Sequence, residues 1–262
     1  MENEKTIEIV TGKLDAKKKV ETFIWLSDWH EDGQSFNDLQ RGLSALKSMA
    51  KHPDWRIFLG GDQIDCAQVS NQPNKRPKSI EDNLENFATH FKPLYPQIDG
   101  MVQGNHEGRL FRCWLGSGKL PDLVTGHHSM ANDIQQENSN LIFADIDRGI
   151  HLDVETSDQT LHWLMAHGRK AGTSADSEFQ DQLKIYRNLD ASFLGHTHSP
   201  SYKPEAQIDT DGKIANFCAV RGSSFTSFPP YQEARNLPPC RLGFWKITLK
   251  NGKMKQPEFV DV

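Results

Sequence analysis

Thr22-Phe23-Ile24-Trp25-Leu26-Ser27-Asp28-Trp29-His30 opens the reading of this chain. Thr22 to Leu26 is a short apolar run of strand character, and Ser27-Asp28 ends it. From Phe36 to Ala50 the apolar residues fall at Phe36, Leu39, Leu43, Leu46 and Met49, which is helical spacing. Trp55 to Leu59 then reads as a second strand, closed by Gly60-Gly61-Asp62. A strand, a helix and a strand in this order predict a right-handed βαβ unit with a parallel strand pair. The fold class is therefore α/β.

The same pattern continues outward. Gln68 to Ser79 is polar, with two prolines, and reads as a solvated loop; Ile80 to Tyr95 returns to helical spacing through Leu84, Phe87, Phe91 and Leu94. Ile98 to Val102 is a strand before Gly104-Asn105-His106-Glu107, and Arg109 to Leu115 reads as a helix. Residues 116–138 have no clear period and predict a loop-rich insertion. Strands are expected at 140–144, 149–154, 161–166, 191–194, 214–220 and 242–249, and a helix at 178–188. Residues 1–20, rich in Lys and Glu, read as a peripheral arm or edge strand, and residues 21–262 as a single domain.

The length of 262 residues suits one substantial domain with a core that needs no covalent staples. With 36% hydrophobic and 25% charged residues the composition is that of an ordinary globular protein, and no apolar run is long enough to span a membrane. The net charge of −5 disfavours non-specific duplex binding, which depends on many Lys and Arg contacts to phosphate. The four cysteines are scattered without a Cys-x-x-Cys pair, so a thiolate zinc site has little support. Reduced thiols and a charged N-terminus without an apolar signal core point to the cytoplasm.

Each polar cluster follows a predicted strand, where sites form in α/β sheets. Asp28-Trp29-His30 places a carboxylate and an imidazole two residues apart, a pair that suits Mn, Fe or Zn but is equally at home in a solvated turn. In Gly60-Gly61-Asp62 the glycines permit a tight turn, after which Asp62 either meets a cation or caps a helix. Asn105 offers a neutral carbonyl ligand or an N-cap; His106 offers a proton donor, and Glu107 a group to orient it. His167-Gly168 ends a strand, where a lone histidine is commonly structural. Gly195-His196-Thr197-His198 sets two imidazoles at alternate positions, which share one side of an extended segment.

Taken in order, these motifs resemble the calcineurin-like metallophosphoesterases from Asp28 to His198, with the right residue type at every metal-ligand position. The resemblance implies a two-sheet β sandwich flanked by helices, with a dinuclear metal site at the strand C-terminal ends. It implies that Asp28, His30 and His198 bind one divalent metal ion, that Asn105, His167 and His196 bind a second, and that Asp62 bridges them with one oxygen to each. The expected ions are manganese, with Fe, Zn, Mg and Ni as alternatives. The expected reaction is phosphoester hydrolysis by a metal-bridging hydroxide, with His106 as general acid. No Gly-x-Ser-x-Gly elbow is present, and Gly116-Ser117-Gly118-Lys119 lacks the remaining features of a P-loop.

The substrate is less legible. Arg109 lies close enough to Asn105-His106 to reach a substrate phosphate, or to form a salt bridge on a helix surface. Lys75-Arg76-Pro77-Lys78, residues 116–138 and residues 221–241 are candidate binding segments; the last, a C-terminal substrate-side loop, holds Phe225, Phe228, Tyr231 and Arg235, which could stack bases or simply pack a loop. Asp65 reads as a helix cap. The leading expectation is a phosphodiester substrate, a nucleic-acid end or a nucleotide. A phosphomonoester or phosphoprotein, or a non-catalytic interaction module of this family, remain the alternatives.

Overall fold

The computed structural model describes residues 8–31, 33–65, 80–107, 124–145, 148–168, 175–186, 188–208, 212, 214–227 and 239–262. The strands run in chain order β1 (Glu8–Asp15), β2 (Val20–Leu26), β3 (Arg56–Gly60), β4 (Ile98–Val102), β5 (Ile142–Ala144), β6 (Arg148–Glu155), β7 (Thr160–Ala166), β8 (Ala191–Leu194), β9 (Ser201–Ile208), β10 (Ile214–Arg221), β11 (Gly243–Lys250), β12 (Lys253–Met254) and β13 (Glu258–Asp261). The helices are α1 (Phe36–Met49), α2 (Ile80–Phe91), α3 (Val124–Glu137) and α4 (Ala175–Ile185), with a 3-10 turn at Lys92–Gln97 after α2.

Two sheets face each other. One has six strands in the order β1-β6-β7-β8-β10-β9; the other has seven, in the order β12-β11-β2-β3-β4-β5, with β13 also paired to β11. Strands β2 to β5 are mutually parallel, as are β7, β8 and β10. The two-residue period of a strand builds the layers. From β2, Phe23 and Trp25 turn inward to the second sheet, while Ile24 and Leu26 turn outward to α1, α2 and α3. From β7, Trp163 and Met165 face inward, while Leu164 and Ala166 pack with Phe179 of α4. The result is a four-layer arrangement of helices, sheet, sheet and helix. Across the middle of the sandwich Trp163 stands edge-on to Phe23 at 5.0 Å between ring centroids, and within its own sheet it packs on Phe193 of the neighbouring strand at 5.3 Å.

Ser35 caps α1 by accepting from the Asp38 N–H at 3.2 Å, which fixes where the chain leaves the His30 loop. Strands β12 and β13 lie beyond the last expected strand, and two further elements depart from the expected pattern. Residues 124–137 form a helix where a loop is predicted, because its apolar residues at Met130 and Ile134 make too short a stripe to show a period. Strand β9 carries Pro204 and few apolar residues; it lies at the sheet edge, where a proline costs no ladder bond. Arg109, Lys75 to Lys78, residues 116–123 and the stretch 228–238 lie outside the described residues. Among those described, no helix is long and apolar enough to cross a membrane.

Candidate metal centre

The parallel strands β2, β3, β4, β7 and β8 end on the same edge of the sandwich, and each is followed by a polar cluster. Past the strands, the chain after β2 continues to pair with the chain after β3: the N–H groups of Asp28, His30 and Glu31 donate to the carbonyls of Gly61, Asp62 and Gln63 at 2.8–2.9 Å. This zip sets Asp28 and His30 beside Asp62. Glu107, 2% exposed, accepts the backbone N–H groups of Gly104 (2.9 Å), Ile64 (3.1 Å) and Asp62 (3.2 Å). The sequence reads Glu107 as a group to orient His106; these three bonds tie the loop after β4 to the loop after β3. Gly104 lies so close to Asp62 that a Cβ there would collide with the Asp62 carboxylate and amide.

Backbone conformation marks the same residues. Seven described non-glycine residues have positive φ, and five of them are Asp28 (56°), His30 (52°), Asp62 (53°), His196 (70°) and His198 (52°). Such conformations are uncommon and persist where the surroundings over-determine them. Here they turn five functional groups toward one point.

Two donor groups meet at that point. Asp28, His30 and His198 form the first: His198 Nε2 is 3.1 Å from Asp28 Oδ1 and 3.0 Å from His30 Nε2. Asp62, His167 and His196 form the second, with His167 Nε2 3.1 Å from Asp62 Oδ2 and 3.0 Å from Asn105 Oδ1. Asp62 Oδ2 is also 3.9 Å from His30 Nε2, which places it between the groups. Its Oδ1 accepts the His106 N–H at 2.8 Å, while Oδ2 is the oxygen near both His167 and His30. Asp28 is built the same way: Oδ2 accepts the His196 N–H at 2.9 Å, and Oδ1 turns inward without a hydrogen bond.

The imidazoles share a further feature. His167 Nδ1 donates to the Gly60 carbonyl at 2.8 Å, and His198 Nδ1 meets Ser224 Oγ at 3.3 Å. His30 Nδ1 faces Asp65 Oδ1 at 3.4 Å. His106 Nδ1 donates to the Asp65 carbonyl at 2.6 Å and lies 3.2 Å from its carboxylate. In all four rings Nδ1 is turned to an oxygen behind it, which leaves Nε2 to present its lone pair or proton to the centre. That is how second-layer partners fix the tautomer of a metal-binding histidine. Buried lone pairs about 3 Å apart repel one another unless a cation or proton stands among them, and metal–ligand bonds of about 2.0–2.2 Å demand such spacings. The donor set therefore fits two divalent cations.

Electrostatics agree with this. Burial opposes ionisation of Asp62, but His167, His106 and His30 outweigh it and hold the carboxyl well below its usual range. Asp28 is lowered likewise against its burial, chiefly by His198. Burial pushes His30 and His196 down toward the neutral, ligating form. His167 goes the other way: burial disfavours its charge, yet Asp62 and Asp28 hold its pKa up at about 10, so without a cation it binds a proton in that place.

His106 differs from the ligand candidates. Its side chain is 18% exposed against 5–6% for His30, His167 and His198, and its Nε2 lies 3.9 Å from Asp62 Oδ2. It sits at the rim, where an incoming group can reach it. Asp65, expected to cap a helix, instead contacts both His30 and His106, which depress its pKa against the effect of burial. Its spacing of three residues from Asp62 was the available signal. Phe225 is fully buried against Trp29, with ring centroids 4.9 Å apart, and cannot stack a base; Arg109 lies outside the described residues.

A family model for calcineurin-like phosphoesterases matches residues 21–200. No curated protein is similar enough to count as a match. Solved structures similar to the chain include a metallophosphoesterase from Sphaerobacter thermophilus, at 15% identity, covering 92% of this chain and 88% of that one with a TM-score of 0.43. A predicted phosphoesterase from Streptococcus pneumoniae TIGR4 has 13% identity, coverages of 92% and 90% and a TM-score of 0.40. The Entamoeba histolytica Vps29 double mutant has 13% identity, coverages of 92% and 99% and a TM-score of 0.42.

Proposed function

The chain belongs to the calcineurin-like phosphoesterase family, and from that premise we propose that it is a metal-dependent hydrolase of phosphodiesters, acting on a nucleic-acid end or a nucleotide. The observation that carries the reading is the shared orientation of four imidazoles around Asp62, each with Nδ1 turned to an oxygen behind it and Nε2 directed to the centre. Asp28, His30 and His198 would hold one divalent cation, and Asn105, His167 and His196 the other, with Asp62 Oδ2 between them. Manganese is the ion this reading takes, with Fe, Zn, Mg or Ni as alternatives, and the mixed oxygen and imidazole set does not by itself choose among them. Such a pair, when bound, supplies positive charge to the phosphoryl oxygens and acidifies water.

The chain's own groups do the rest. Glu107 and the zipped loops after β2 and β3 hold the donors in place, so little reorganisation is needed when charge develops. His106 holds a proton at Nε2 for the departing alkoxide, while Asp65 fixes the ring through Nδ1 and offsets its positive charge. The described groups that converge here are three carboxylates, imidazoles and an amide, with no Lys or Arg among them. A diester monoanion asks less positive charge of a site than a monoester dianion does, so the relative rates on the two substrates report on the charge that the loaded site presents.

The test is a side-by-side rate measurement on a small aryl phosphodiester and the matching monoester, with Mn2+ supplied. Faster diester cleavage is expected. A strong monoester preference would overturn the substrate assignment, and no turnover of either with any of the five metals would leave only a non-catalytic binding module.

A further inference from the structure

We propose that the outer face of the six-stranded sheet carries a separate site for a borderline transition-metal ion such as Zn2+, formed by His151, Asp153 and His162. Strands β6 and β7 pair antiparallel, with Asp153 directly opposite His162 and His151 opposite Leu164. Ile150, Leu152 and Val154 fill the sandwich, so by the two-residue period His151 and Asp153 point to the other side. His162 lies on that side too, between the inward-facing Leu161 and Trp163. One ligand atom from each of the three residues lies within 4.8 Å of the others.

The cluster is held in place. His162 Nδ1 bonds Asp153 Oδ1 at 2.8 Å, and the His162 N–H donates to Asp190 Oδ2 at 2.7 Å. The His151 and His162 rings stack with an interplanar angle of 5° at 5.8 Å, and Tyr186 backs His151 at 6.5 Å. The His162–Asp153 bond by itself would not require a second imidazole stacked in parallel beside it. Two imidazoles and one carboxylate on a rigid ladder select Zn2+, Ni2+ or Cu2+ over Mg2+ or Ca2+, and leave coordination positions for water. Lys13 is the neighbour of Asp153 on β1, but its ammonium lies toward Glu155 Oε1, at 3.8 Å. His162 and His167 are separated by five strand positions, roughly 16 Å along β7, so this site is distinct from the centre at Asp62. Either assignment can fail without the other.

Equilibrium dialysis against Zn2+ followed by metal analysis tests the proposal, on the full chain and on His151→Gln and His162→Gln. The wild-type chain should retain one zinc per chain more than either variant, with phosphoesterase activity unchanged by the substitutions. In the wild type, Zn2+ added beyond the two equivalents that the centre at Asp62 takes should also shift the ring resonances of His151 and His162 together. Equal zinc in all three proteins, or rings that do not respond, would overturn it.

Discussion

At Asp62 the two carboxylate oxygens have separate tasks: Oδ1 accepts the His106 N–H at 2.8 Å, and Oδ2 faces His167 at 3.1 Å and His30 at 3.9 Å. Asp62→Asn keeps the shape and the bond to His106 but removes the charge that both donor groups share. The variant should lose metal from both positions and nearly all turnover, as read by metal analysis alongside kinetics; retention of two ions and most activity would refute the bridging role. His106→Ala separates metal binding from chemistry. It should keep its metal while the rate falls by ~10²–10⁴, the usual worth of a general acid. Loss of metal instead would make His106 a ligand. The roles given to these residues come from the resemblance that Asp-x-His, Gly-Asp, Gly-Asn-His-Glu, His-Gly and Gly-His-x-His carry in that order, since each motif alone reads equally well as a turn or a cap. Asp65 was not legible, since a carboxylate after Asp62-Gln63-Ile64 reads as readily as a cap, and only the folded loop brings it to two imidazoles.

The loops that leave β2, β3 and β4 act as one element, because backbone bonds zip the first two together and Glu107 accepts the N–H groups of Asp62, Ile64 and Gly104. Hydrogen bonds to a buried charge are worth more than neutral ones, and removing the acceptor strands three N–H groups. Glu107→Ala should therefore destabilise the metal-stripped protein by at least ~3 kcal/mol, measured by urea denaturation, and weaken metal binding with it. A change below about 1 kcal/mol would show that the loops hold themselves. The sequence places the strands that precede these loops to within a residue or two, since each is a short, largely apolar run cut off by Ser27-Asp28, Gly61-Asp62 or Gln103-Gly104-Asn105. It misses α3, whose stripe is short, β9, whose edge position tolerates Pro204 and polar residues, and the short terminal strands β12 and β13.

At the scale of the whole molecule, the sandwich brings strand ends more than a hundred residues apart in sequence to one edge. Its middle is aromatic: Phe23 and Trp25 meet Trp163 and Phe193 across the two sheets. Trp163→Ala should cost ~3–5 kcal/mol and lower the thermal midpoint, with metal bound or removed, and a loss under about 1 kcal/mol would mean the sheets do not depend on that contact. Pairing of this kind was beyond the sequence, because alternation within a strand tells which residues share a face but not which strand lies opposite. The central claim is that this edge gathers two cations about one carboxylate. Anomalous scattering from crystals grown with Mn2+ measures that directly. Two peaks are predicted, one among Asp28, His30 and His198 and the other among Asn105, His167 and His196, with Asp62 touching both. A single peak, or peaks that leave Asp62 without a metal contact, would contradict it.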